Sequence, residues 1–211
     1  MSAQARVVAI SNQKGGVGKS TTAEALAQGL SIRGRKVLLV DLDPQGSVSL
    51  SSGVDRSKPT SYDLLVGKTS ASGVIQRNAH KADIVPASGE LARLDVEIAS
   101  AGREYLLKEA IASVLSRYDY IVVDTPPGLG TITINALTAA DNLVIPAQAD
   151  VYSLQGVGQL RDTIEAVQAI TNPGLSLRGV LLTRHNTRSV LSRDMAYMTC
   201  TSICRQNEHH L

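Results

Sequence analysis

Four apolar residues, Val7-Val8-Ala9-Ile10, lead almost directly into Gln13-Lys14-Gly15-Gly16-Val17-Gly18-Lys19-Ser20-Thr21. A helical repeat follows at once, with Ala23, Leu26, Ala27 and Leu30 on one face of Ser20 to Arg33, up to Gly34. A buried strand, a glycine-rich loop closing on Gly-Lys-Ser and then a helix is the setting in which such a loop holds phosphate. Glycines let successive backbone N–H groups turn inward around an anion, and the helix adds the positive end of its dipole. Lys19 reaches the β and γ phosphates, the Ser20 hydroxyl offers a hard oxygen to Mg²⁺, and Thr21 offers a hydroxyl to the α phosphate. One position departs from the strict pattern. Gln13 stands six residues before Lys19, where glycine is expected, and a second lysine, Lys14, follows it. By spacing alone, Lys14 reads as a solvated surface lysine.

The rest of the chain repeats the alternation. Lys36–Val40, Tyr120–Asp124, Leu143–Pro146 and Gly179–Thr183 read as strands, and Asp83–Ala87 as a strand that ends at its Pro86. Glu90–Arg117, with a possible break at Gly102, Thr133–Ala140 and Leu154–Ile170 read as helices, the last stopped by Asn172-Pro173-Gly174. Residues 44–82 read as loops with one or two short helices near Tyr62–Val66 and Val74. Strand–helix alternation predicts an α/β fold with a mostly parallel, doubly wound sheet, the P-loop NTPase architecture. The chain has no Phe and no Trp, so its core must be aliphatic. That suits parallel strands covered on both faces and argues against modules that stack bases on aromatic platforms. A formal charge of +2 leaves no global basic field, so any nucleic-acid contact needs a local patch. Cys200 and Cys204 read as reduced thiols, and with His209 and His210 they match no common zinc spacing. No apolar run is long enough to span a bilayer or to form a signal peptide, which predicts a cytoplasmic protein without a membrane partner.

Acids close two of the strands. In Asp41-Leu42-Asp43-Pro44-Gln45-Gly46 alternation separates both carboxylates from Leu42, and the C-terminal ends of strands in such sheets face the ligand crevice. Both acids are candidates for the neighbourhood of a metal and an attacking water, with loop capping as the alternative. Asp124 ends Tyr120-Ile121-Val122-Val123 and is a candidate for Mg²⁺, usually through a water. The Thr125-Pro126-Pro127-Gly128 that follows is stiff and then suddenly flexible, which suits a segment that senses phosphate.

Lys14-Gly15-Gly16-Val17-Gly18-Lys19-Ser20 resembles the deviant Walker A motif of the ParA/MinD ATPases. Asp41-Leu42-Asp43-Pro44-Gln45-Gly46 resembles the ParA switch I motif, and Asp124-Thr125-Pro126-Pro127 continued by Thr133–Asp141, Val144-Ile145-Pro146 followed by Leu154-Gln155-Gly156, and Gly179–Thr183 are likewise similar to segments of ParA proteins. The likeness covers roughly residues 6 to 195 and favours the ParA/Soj branch. It implies an ATPase that uses ATP and Mg²⁺ to form a homodimer, binds DNA without sequence preference in chromosome or plasmid partition, hydrolyses slowly, and is stimulated by a ParB-like partner on the nucleoid. By the same resemblance, Lys14 crosses to the phosphates of the ATP held by the second subunit. Asp43 positions or activates water, and Asp41 and Asp124 belong to the Mg²⁺ shell. Arg184, Arg188 and Arg193 follow the last strand and, with Arg178, are candidates for DNA phosphates. A solvated loop or a nucleotide contact is the other reading of these arginines. The match defines an ATPase domain over residues 1–195 and an atypical tail over 196–211, roughly 40 residues short of such domains. Two rival functions stay open: positioning of a protein cargo or service to a mobile element, and nucleotide binding with little turnover. An iron-protein-type reductase would need cysteines near the switch segments, and Cys200 and Cys204 are elsewhere.

Overall fold

The computed structural model describes residues 4–55, 57–77, 82–94, 103–148 and 151–183. Among them, β1 (Arg6–Ile10) runs between β4 (Tyr120–Asp124) and β5 (Asn142–Gln148). β2 (Val37–Asp41) lies beyond β4 and β3 (Asp83–Val85) beyond β2. On the other side β6 (Ser176–Thr183) lies beyond β5, giving the order β3-β2-β4-β1-β5-β6. Every neighbouring pair is parallel. Parallel strands need crossovers, so all the C-terminal ends emerge on one edge, the edge where such sheets bind ligands.

Alternate residues of each strand feed opposite faces. Val8, Ile10, Val37, Leu39 and Val122 pack with Ala23 and Ala27 of α1 (Lys19–Ile32), with Leu26 and Leu30 partly buried beside them. The two alanines have no exposed surface, and their small side chains let α1 lie close to the sheet. Val7, Ala9, Leu38, Val40, Ile121 and Val123 face the other way, onto Leu107 and Ile111 of one helix (Leu106–Ile111) and Ile132, Ala136 and Leu137 of another (Thr131–Ala139). Full burial of each large aliphatic side chain contributes about 1.5–3 kcal/mol. The aliphatic, two-faced core expected from the composition is what the sheet shows.

The strand expected to end at its proline does so: β3 stops at Val85, because Pro86 has no N–H to continue the ladder. Two expectations shift. The stretch expected as helical over Glu90–Arg117 is several short pieces where it is described: 3₁₀ turns at Gly89–Arg93 and Arg103–Tyr105, the helix Leu106–Ile111, and another 3₁₀ segment at Ala112–Arg117. The Asn135 side chain holds this entry from outside, accepting from Leu107 N–H at 3.2 Å and donating to Arg103 O at 2.8 Å. Residues 44–77 hold three short helices, Ser47–Ser51, Ser61–Leu65 and Ala71–Val74. The first of them carries a site contact described below. No helix among the described residues is long and apolar enough to cross a membrane.

Candidate functional site

The loop after β1 owes its shape to two glycines, two distant side chains and one of its own. Gly16 and Gly18 take φ of 72° and 92°, left-handed values that strain any residue with a Cβ. Gln148, at the end of β5, donates from Nε2 to Gly16 O at 3.1 Å. Thr183, at the end of β6, donates from Oγ1 to Val17 O at 2.7 Å. Asn12 is buried, donates from Nδ2 to Pro146 O at 2.6 Å, and accepts the Lys14 N–H on Oδ1 at 3.0 Å. A trans peptide points its N–H opposite its C=O. Holding the Gly16 and Val17 carbonyls against the sheet edge therefore turns the following N–H groups toward the hollow of the loop. The N-terminus of α1 opens into the same hollow. A Cβ built on Gly15 or Gly16 meets no atom within 4 Å, whereas one on Gly18 meets Thr183 Cγ2 at 3.5 Å.

Lys19 opens α1 and is buried, its Nζ resting on Lys14 O at 3.1 Å. Burial lowers its pKa, while Asp124 and Asp43 push it back up. Ser20 is half-buried on the same turn, Thr21 is exposed, and Lys14 is half-buried at the start of the loop.

The acids meet the loop through register. Asp41 pairs with Asp124 across β2 and β4, and Asp124 pairs with Ile10 across β4 and β1. Three adjacent strands thus deliver two carboxylates and the start of the loop to one level of the sheet. Asp41 is fully committed to the protein. Its Oδ1 accepts from Asp43 N–H at 3.1 Å, and its Oδ2 accepts from Ser49 N–H at 2.9 Å and Ser49 Oγ at 2.6 Å. Burial raises its pKa and the Ser49 and Asp43 donors oppose that. These bonds place Asp41 as an anchor for the turn 42–49, which is the loop-capping alternative for this residue. Asp43 is 7% exposed and caps the next turn through Gln45 N–H at 2.9 Å.

Asp124 has no exposed surface, and neither of its carboxylate oxygens has a hydrogen-bond partner. Burial pushes its pKa up to about 7, with Asp41 and Asp43 adding to the rise. The nearby Ser20 hydroxyl and Lys19 favour the charged form, although Ser20 does not reach hydrogen-bond geometry. A buried carboxylate left unpartnered is costly, and a hydrated divalent cation beside Ser20 would satisfy it. No group of three or more His, Cys, Asp or Glu able to hold a metal occurs among the described residues. Mg²⁺ keeps several of its waters and is commonly held by one or two carboxylates together with substrate phosphates.

Arg184, Arg188 and Arg193 lie outside the described residues, as do Cys200, Cys204, His209 and His210. Arg178 is exposed on β6. The sequence reading did not select Asn12, Ser49, Gln148 or Thr183. Gln148 and Thr183 carried one usable signal, since each is a polar residue at the C-terminal end of a strand.

The AAA domain family model matches residues 5–177. The sporulation initiation inhibitor protein Soj of Bacillus subtilis is 42% identical over 190 residues, covering 88% of this chain and 75% of Soj. The chromosome partitioning protein ParA of Caulobacter vibrioides is 40% identical over 197 residues, covering 90% of this chain and 74% of that protein. The crystal structure of cobyrinic acid a,c-diamide synthase from Mycobacterium smegmatis, with bound ATP analog and magnesium, superposes with a TM-score of 0.86 at 41% identity. That match covers 92% of this chain and 80% of the other.

Proposed function

This chain belongs to the ParA/Soj family of P-loop ATPases, and from that membership we propose that it is an ATP-driven DNA partition protein. ATP and Mg²⁺ occupy the loop Lys14–Thr21, and two copies close face to face over two nucleotides. The closed dimer binds DNA without sequence preference on the nucleoid, and a ParB-like partner triggers the hydrolysis that reopens it. Residues 1–195 act as the ATPase domain and 196–211 as a tail.

The observation that carries this reading is the buried, unpartnered Asp124 carboxylate beside Ser20 at the mouth of a preshaped phosphate loop. Ser20 and Asp124 would hold Mg²⁺, which when bound offsets charge on the phosphates. Lys19 leaves Lys14 O for the phosphate oxygens. Asp43, held by its turn at the same edge, orients the attacking water. Lys14 extends from the start of the loop to the partner copy's nucleotide, and Arg184, Arg188 and Arg193 neutralise DNA phosphates.

Sizing chromatography with a slowly hydrolysed ATP analogue and Mg²⁺ tests the reading. The wild type moves from monomer to dimer and Lys14→Ala stays monomeric; a Lys14→Ala dimer overturns the role given to Lys14. Neutralising Arg184 and Arg188 weakens ATP-dependent DNA binding and flattens its salt dependence.

The relative from Mycobacterium smegmatis favours a second reading, ATP-dependent amidation of a carboxylate on the same loop. Phosphate release that rises with cobyrinic acid and ignores DNA supports that reading; the reverse supports partition.

A further inference from the structure

A cavity lies at the pole of the sheet opposite the phosphate loop, and it is built from cations. About 540 Å³ is enclosed by Arg35, Lys36, Arg77 and Arg117 around Ser31, Val37, Asp83 and Tyr118. Four positive side chains against one carboxylate give a local charge of about +3, more than the +2 of the whole chain. The carboxylate is already engaged: Asp83 Oδ2 accepts the Tyr118 hydroxyl at 2.9 Å. Arg117 donates to Ser72 Oγ at 2.9 Å and lies 5.9 Å from the Tyr118 ring centroid. All four cations are exposed. The frame that carries them is fixed. Lys36 N–H donates to Asp119 Oδ2 at 2.8 Å and Asp119 N–H donates to Lys36 O at 2.8 Å. The nearby Asp119 carboxylate thus accepts a backbone N–H and keeps its negative charge beside the lining. Arg6, exposed at the start of β1, opens onto the same edge.

The geometry points to a second phosphate-binding surface, separate from the nucleotide loop, for the phosphodiester backbone of double-stranded nucleic acid. Three of the four cations are arginine, whose planar fork fits phosphate oxygens. The apolar members of the lining, Val37 and Tyr118, are both buried, so no open aromatic face is available to a base and no apolar anchor to a peptide. What remains is charge, which reads a backbone and not a sequence. β2 carries this cavity at Val37 and the nucleotide end at Asp41, about 13 Å apart at roughly 3.3 Å per residue. In a dimer closed over its nucleotides the cationic pole faces outward, free to touch DNA in either nucleotide state. The inference rests on the DNA-binding reading above and adds to it a surface on a different part of the chain.

The test is DNA binding by fluorescence anisotropy across a salt series, with and without ATP analogue and Mg²⁺, for the wild type and the triple variant Arg35→Gln, Lys36→Gln, Arg77→Gln. Unchanged thermal melting and nucleotide binding show that the variant is folded, and Arg35→Glu alone replaces it where they change. The variant binds roughly tenfold or more weakly, and its slope of log affinity against log salt shrinks by about 0.9 for each phosphate it no longer neutralises, to the same extent with and without nucleotide. An unchanged slope in a protein whose wild type binds DNA overturns this surface and leaves the partition reading standing. A wild type that binds no DNA overturns both. Competition by polyglutamate as effective, per charge, as by DNA overturns the assignment to phosphodiester.

Discussion

β2 and β4 are neighbours, and each ends in an aspartate with no exposed surface, paired in register with the other. The two ends are finished differently. Asp41 receives three hydrogen bonds from Asp43 and Ser49, all within the chain. Asp124 receives none. Both carboxylates sit in the same low-dielectric edge, and burial raises both pKa values. The difference therefore lies in what each neighbour supplies. The turn after β2 folds back and brings Ser49 to its acid, whereas the chain after β4 leaves on Thr125-Pro126, where Thr125 Oγ1 is spent on Ile10 O at 3.0 Å and Pro126 has no N–H to give. A strand end can thus complete its own polar group or leave it to a ligand.

The sharpest way to break this contrast is to neutralise the acids one at a time. Asp124→Asn lowers ATP hydrolysis by roughly 100-fold or more, by the measure of losing one electrostatic element of a catalytic site, yet does not lower the melting temperature of the nucleotide-free protein at pH 8. A phosphate-release assay and a thermal melt check the two halves.

The acidity of Asp124 sharpens the same point. Its pKa in the folded protein, about 7, lies above the unfolded value of 3.8. The folded state therefore holds this proton more tightly, and stability is fully present below about pH 4 and falls as pH rises through 7. The loss on Asp124's account is on the order of 4 kcal/mol over that whole range. The groups that face it, Asp41, Asp43, Lys19 and Ser20, set its size. Thermal melts of the nucleotide-free protein between pH 5 and 8 show a fall that Asp124→Asn removes. A fall of equal size in the variant assigns it to other groups.

Asp41→Ala has the opposite profile. It leaves three donors without their acceptor and destabilises the fold by about 2–4 kcal/mol in urea unfolding. Smallest in effect is Thr183→Val, which keeps the shape, removes the bond to Val17 O, and weakens nucleotide binding about tenfold, equivalent to one hydrogen bond of about 1–1.5 kcal/mol. Thr183→Ser retains most of the affinity in the same calorimetric titration. A loss in Thr183→Ser with none in Thr183→Val would show that the methyl group near Gly18 matters and the hydroxyl does not.

What was legible in the sequence was local. Val7–Ile10, the glycine loop and the Ala23–Ala27 face each announce themselves by periodicity over a few residues, and the phosphate-loop setting they predict is the one the structure holds. The acids were legible as strand ends. That Asp41 is saturated and Asp124 is not depends on Ser49, whose short helix gives little periodic signal. Asn12, Gln148 and Thr183 are ordinary polar residues until the sheet brings strand ends together. The Glu90–Arg117 stretch had helical periodicity, but tertiary bonds such as that from Leu107 N–H to Asn135 divide it. Arg184, Arg188 and Arg193 lie outside the described residues and stay as the sequence left them.

The bond between Thr183 and Val17 joins residues 166 positions apart, and that separation dictates an order of events. During synthesis the phosphate loop emerges ahead of β4 and β5, and β1 cannot take its place until both exist, more than a hundred residues later. The last restraint arrives only with the end of β6. Closing such long segments is slow, because loop entropy opposes each pairing before contacts can repay it. The nascent chain therefore carries an exposed glycine-rich segment next to an aliphatic strand until β6 is made, and it acquires a competent phosphate hollow in a late, cooperative step instead of gradually.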